Sequence, residues 1–242
     1  MTLIELGATQ LIMSALLSLT FDDPFAEIAA LRDEWPRVTS NEHLDDLIGR
    51  ARWASSYWYA ANHLYAARDV EDFIMFSGPF MQNCGLACEL IFKCLLAGAG
   101  HAYPSLRKFG HSLSELYSEA ESQFDISRFL LAVVQASSAI ALPDEIADRF
   151  MERGHTREEA DVGWRVFSQH IYLLDESYDR PFRARYLSAG PIALPEPFIL
   201  LLGSLILLNA MNERLQLPLI GTVYGFPSER VTDAGSLKPD QS

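Results

Sequence analysis

Apolar residues recur three and four positions apart along most of this chain, and a capping residue precedes most such stretches. Asp23 followed by Pro24 predicts an N-cap with proline at the first helical position, opening a short helix, FAEIAALRDEW, that Pro36 ends. Thr39 with Glu42 predicts a capping box. Beyond it Leu44, Leu47, Ile48, Ala51 and Ala54 share one helical face, and the pattern continues to about Arg68. Trp53, Tyr57, Trp58, Tyr59 and Tyr65 surround the second half of that helix, too many rings for one face, so some must meet a partner helix. A third helix is predicted after Gly78 and Pro79. From Cys84 to Ala97 it is apolar or Gly at every position except Glu89 and Lys93, the pattern of a helix at the centre of a bundle. Those two stand four apart with the acid first, the favourable order for an ion pair.

Further along, Ser112 with Glu115 predicts a second capping box and Asp125 a cap for the helix carrying Phe129, Leu130 and Val133, which Pro143 stops. Thr156 with Glu159 predicts a third box, opening one continuous helix through ADVGWRVFSQHIYLLDESYD that Pro181 terminates. Residues 198–208, FILLLGSLILL, are uncharged but only about half the length of a bilayer crossing, so they read as a buried core helix. Alternation of the strand type occurs only near 219–224. These elements make an all-α helical bundle.

Composition narrows the function classes. Of 242 residues 49% are apolar, enough for one large domain over 1–226, while the polar end, 227–242, reads as a mobile tail. With 19 basic and 32 acidic side chains the net charge is −13, which disfavours broad wrapping of nucleic acid. An apolar stretch at 11–19 lacks the basic leader of a signal peptide. Three clustered cysteines, Cys84, Cys88 and Cys94, offer no disulfide framework and point to a reducing, cytoplasmic setting without membrane insertion. With His101 they could suggest zinc, but the spacing lacks a CxxC knuckle, and small core residues are the simpler reading; no metal or other cofactor is expected. Walker-type, HExxH and GxSxG motifs are absent.

The string NCGLACELIFKCLLAGAGHAYPSLRKFGHSLSELYSEAES, residues 83–122, resembles the HEPN (higher eukaryotes and prokaryotes nucleotide-binding) family. The resemblance lies in an ACEL, apolar, Lys, apolar helix followed by a glycine-containing loop and a GHSL segment, here Gly110, His111, Ser112 and Leu113, opening the next helix. It implies an up-and-down core of four to five helices over about 40–186, with additional N- and C-terminal helices. It also implies a homodimer, a nucleotide or RNA ligand, and in some members a cognate partner protein. Many members are metal-independent endoribonucleases of toxin type that use an Arg followed four to six residues later by a His. The His moves a proton and the Arg stabilises charge on phosphate.

That spacing occurs here as Arg37 with His43, Arg149 with His155, and Arg165 with His170. Chance alone supplies about one such match in a chain of this composition. Family placement favours Arg165 and His170, although five residues along one helix set them roughly 140° apart around its axis. Local geometry favours Arg149 and His155, which straddle Gly154 where the chain can turn. A nucleotide-binding candidate is the basic and aromatic segment YDRPFRARY, with Arg180, Arg183, Arg185 and Tyr186 able to hold phosphate and stack a base. The expectation is therefore a binding or interaction module first, with the endoribonuclease as its alternative.

Overall fold

A computed structural model describes residues 31–37, 40–67, 73–138, 140–178, 194–221 and 223. Residues 24–30 of the helix expected over 24–35, the segment carrying Arg180 to Tyr186 and the tail at 227–242 lie outside the described residues. The rest is an all-α bundle: α1 (Asn41–Ala66), α2 (Phe73–Gly98), a single turn α3 (Tyr103–Leu106), α4 (Leu113–Ala120), α5 (Ile126–Ala136), α6 (Asp144–Met151), α7 (Arg157–Trp164), α8 (Phe167–Tyr178) and α9 (Pro197–Arg214). No strand occurs among the described residues; one antiparallel bridge joins Leu31 to Phe124.

α2 is the post the other helices surround. It packs along α1 and also meets α4, α8 and α9, and Cys84, Cys88, Ile91, Phe92, Cys94 and Leu95 are fully buried. By length and composition alone residues 77–98 could cross a membrane, but two thirds of the stretch is covered by the molecule's own helices. α9 is a second buried post. It carries the 198–208 run, and its residues join the same hydrophobic cluster as α2, so the core extends past position 186. Trp58 of α1 locks onto it, its indole N–H donating to the Leu201 carbonyl at 3.0 Å. Beyond α9 the chain turns back: the Asn209 amide bonds both the N–H and the carbonyl of Ile220.

Several expected boundaries shift. Ser40, not Thr39, caps α1, its hydroxyl accepting from the His43 N–H. α2 starts at Phe73 and runs through Pro79, because packing along α1 outweighs the hydrogen bond proline cannot donate. Residues 31–35 are not helical. The Arg32 N–H goes to Gln123, and Trp35 folds under the end of α2, its indole donating to Leu95. The helix expected across 160–180 is two. It breaks after Trp164, where the Arg165 and Val166 N–H groups make turn bonds to Val162 and Gly163 before α8 resumes. Other signals stand as read: Asp125 caps α5 through Ser127 and Arg128, and the Thr156–Glu159 box forms both of its bonds.

Close packing gives a paired test. A Cβ at Gly203 of α9 would lie 2.1 Å from the buried Phe167 ring, whereas one at Gly163 of α7 would make an ordinary 3.4 Å contact with Phe150. Gly203→Ala is expected to cost about 1–3 kcal/mol despite alanine's higher helix propensity. Gly163→Ala should leave stability unchanged or raise it by up to about 1 kcal/mol. Urea unfolding of both variants checks the difference.

Candidate functional site

The residues of the ACEL helix and the GHSL segment meet in one polar cluster. Glu89 projects from α2 with its side chain 9% exposed. One carboxylate oxygen accepts from Lys93 Nζ at 2.7 Å. The other accepts from the Tyr178 hydroxyl at 2.7 Å and from His111 Nδ1 at 2.9 Å. Lys93 also donates to the Gly110 carbonyl at 2.8 Å, tying the loop to the helix. Burial alone would raise the Glu89 carboxyl. The bonds from Lys93, Tyr178 and His111, with the lysine's charge, offset that and hold it below the usual carboxylate range.

α4 is fixed from its other side. Asp175 of α8 accepts from the Leu113 N–H at 2.7 Å, the Ser114 N–H at 3.2 Å and the Ser114 hydroxyl, placing a carboxylate on the positive end of the helix. Ser112 caps the same turn through the Glu115 N–H. Gly110, at φ +57°, supplies the left-handed conformation that brings His111 back toward Glu89. The result leaves His111 half exposed, with one nitrogen on Glu89 and no bond to the other among the described residues.

Next to this cluster a groove of about 470 Å³ runs between α1 and α2. Gly49, Arg50, Trp53 and Tyr57 line it from α1, and Leu86, Glu89 and Leu90 from α2. Arg50 is held by Asp46 at 3.2 Å and lies over the Tyr103 ring at 3.9 Å.

The expected catalytic pairs fare differently. Across the helix break Arg165 and His170 each lie against the Trp164 ring, at 5.5 and 6.4 Å from its centroid, and both have structural bonds. Arg165 is buried, forked onto Asp161 at 2.7 and 3.0 Å and donating to the carbonyls of Ser137 and Ile140. His170 is 3% exposed and has no free nitrogen: Nε2–H donates to the Trp164 carbonyl at 2.5 Å, and Nδ1 accepts from the Glu196 N–H at 3.1 Å. Burial pushes its pKa down to about 4. Both side chains of this pair are thus buried and engaged in packing bonds.

Arg149 is exposed in the last turn of α6, and His155 is half-buried, 3.7 Å from Glu159 and edge-on to Phe150. Gly154, at φ +88°, makes the expected turn between them. Arg37 pairs with Glu34 at 2.7 Å and His43 with the Ser40 hydroxyl at 2.9 Å, so each is engaged locally. Arg180, Arg183, Arg185 and Tyr186 lie outside the described residues. The three cysteines are buried, and burial pushes the Cys94 thiol up to about 12.

Sequence reasoning missed two members of the cluster, Tyr178 and Asp175, which are 89 and 61–63 residues from their partners. His111 was legible as part of GHSL but not as a ligand of Glu89. Comparison of the chain with protein-family models, with curated proteins and with solved structures finds no match.

Proposed function

We propose that this chain is a HEPN-like helical binding module, associated with a nucleotide or RNA and without catalysis of its own. One observation carries the reading. Tyr178, the residue from which the basic, aromatic segment 179–186 continues, is hydrogen-bonded to Glu89 at the junction of the two motif segments. The segment offered for phosphate thus follows in sequence directly on a residue of the cluster that the resemblance singles out. The ligand contacts are assigned to Arg180, Arg183, Arg185 and Tyr186, through charge-assisted bonds to phosphate and base stacking on the ring. The engagement of Arg165 and His170 in packing supports binding over cleavage.

The test is fluorescence anisotropy with a labelled structured RNA and calorimetry with ATP and ADP, in EDTA. Binding to at least one probe without cleavage is expected, weakened about tenfold or more by Arg183→Ala with Arg185→Ala, since each charge-assisted bond contributes that order. Undiminished binding by the double variant removes the assigned contacts. RNA cleavage by the wild type that is lost in His155→Ala alone replaces the reading with the endoribonuclease.

A further inference from the structure

α1 buries one face, through Leu47, Ala51, Ala54 and Trp58, against α2 and α9. The stripe beside that face, from Asp46 to Tyr57, lines the groove shared with α2, whose volume of about 470 Å³ suits a small molecule. Trp53 stands in this stripe 62% exposed, whereas Trp35, Trp58 and Trp164 are all buried. An indole left this open is unusual, because covering it would remove a large apolar area from water. Its ring lies 6.1 Å from that of Tyr57, tilted by 32°, which makes the α1 side of the groove aromatic over a full helical turn. Leu86 and Leu90, both partly buried, line the α2 side. Gly49 leaves a gap between the two: a Cβ there would meet nothing within 4 Å, so the space serves no contact among the described residues.

Charge decides what fits this space. The groove carries two carboxylates, Asp46 and Glu89, against one guanidinium, Arg50. That guanidinium is already engaged: Nε donates to Asp46 at 3.2 Å, and the group lies 3.9 Å from the centre of the Tyr103 ring. Lys93, the neighbouring cation, is bonded to Glu89 and to the Gly110 carbonyl. The acids keep capacity. The Asp46 side chain is 44% exposed, and Glu89 takes three donors where a carboxylate has about four acceptor sites. The open aromatic faces add to the same sign, since the face of a ring attracts cations. We propose that the groove between α1 and α2 binds a small organic ammonium ion that carries a ring or a short apolar chain. The ammonium is held among Asp46, Glu89 and the Trp53 ring, and the apolar body covers Leu86 and Leu90 in the space that Gly49 leaves. An anion of the same shape would meet two carboxylates, and Arg50 would receive it only by releasing Asp46. A neutral molecule would gain the apolar contact alone.

This site stands apart from the nucleotide contacts assigned above, which lie on a different segment, so either can fail without the other. Three probes that share one ring test it on the full chain at neutral pH: 2-phenylethylammonium, 2-phenylethanol and phenylacetate, measured by calorimetry and ligand-detected NMR. The ammonium is expected to bind saturably with a dissociation constant of about 1 mM or below. It should bind about tenfold tighter than the alcohol, with phenylacetate the weakest of the three. Three variants locate the site. Trp53→Ala removes an exposed ring, Asp46→Asn an exposed charge, and Gly49→Leu fills the gap at a helical position where leucine is the better helix former. Circular dichroism and the thermal transition check that each keeps its fold. Trp53→Ala should weaken the ammonium about fivefold or more. Asp46→Asn should bring it toward the alcohol while leaving the alcohol unchanged. Gly49→Leu should abolish binding of both. No saturable binding of the ammonium, phenylacetate bound as tightly as the ammonium, or folded variants that bind it like the wild type would each overturn the proposal.

Discussion

Glu89→Ala should cost this protein about 3 kcal/mol of folding stability, the order seen when one partner of a buried ion pair is removed. The loss exceeds that of a surface charge because three donors converge on one carboxylate. Without it the Tyr178 hydroxyl, on a fully buried ring, loses its 2.7 Å bond to Glu89, and among the described residues Lys93 keeps the Gly110 carbonyl. His111 is half exposed and can turn to water, so it contributes least. Glu89→Gln keeps the volume and some acceptor capacity but not the charge, and about half the loss is expected from the weaker neutral bonds. Urea unfolding at neutral pH measures both. Gly85→Ala probes the same cluster from its other side, since a Cβ there would lie 2.2 Å from the Tyr178 ring. A Glu89→Ala protein as stable as the wild type would mean that the cluster does not hold α2, the GHSL loop and α8 together.

Acidification should weaken the fold in two steps with different owners. His170 is buried neutral, so its pKa falls to about 4 from the ordinary 6.5. Between those values the unfolded chain takes up a proton that the folded chain does not, so stability falls as pH drops through that window and levels off below about 4. The depression corresponds to roughly 3 kcal/mol across the window. Glu89 acts lower: its carboxyl is depressed, so its contribution is complete above the ordinary carboxylate value and is lost as pH falls through the depressed one. Unfolding free energies of the wild type and His170→Gln, taken from pH 7 to pH 4, isolate the His170 step. The variant should lose most of the slope between 6.5 and 4. An identical slope in both proteins would place the titrating group elsewhere.

What the sequence made legible was local. The box at Thr156 and Glu159, the Asp125 cap, the pairing of Glu89 with Lys93 and the burial of 198–208 each depend on residues within a few positions of one another, and all are present. The break after Trp164 was not legible, because the apolar spacing from Val162 to Leu174 suits one helix. The break is held by bonds to distant backbone: Arg165 reaches Ser137 and Ile140, and His170 reaches Glu196. The same break engages the expected Arg165 and His170 pair in packing bonds, and the motif's spacing reports nothing about which hydrogen bonds the two side chains have already formed. Passage of α2 through Pro79 was missed for a related reason. A proline predicts a boundary from local backbone chemistry, and a long contact with α1 overrides it. The convergence of His111 and Tyr178 on Glu89 depends on three elements meeting, which helical periodicity alone does not encode.

The central claim is that α2, carrying Glu89 and Lys93, is the post on which the bundle is built. Native-state hydrogen exchange tests it most directly. The amides of residues 84–97 should be among the last to exchange, together with those of 199–211 in α9, and should open only with global unfolding. Those of α6 and α7, which pack mainly on each other, should exchange earlier. Exchange of residues 84–97 as early as that of α6 and α7 would contradict the claim.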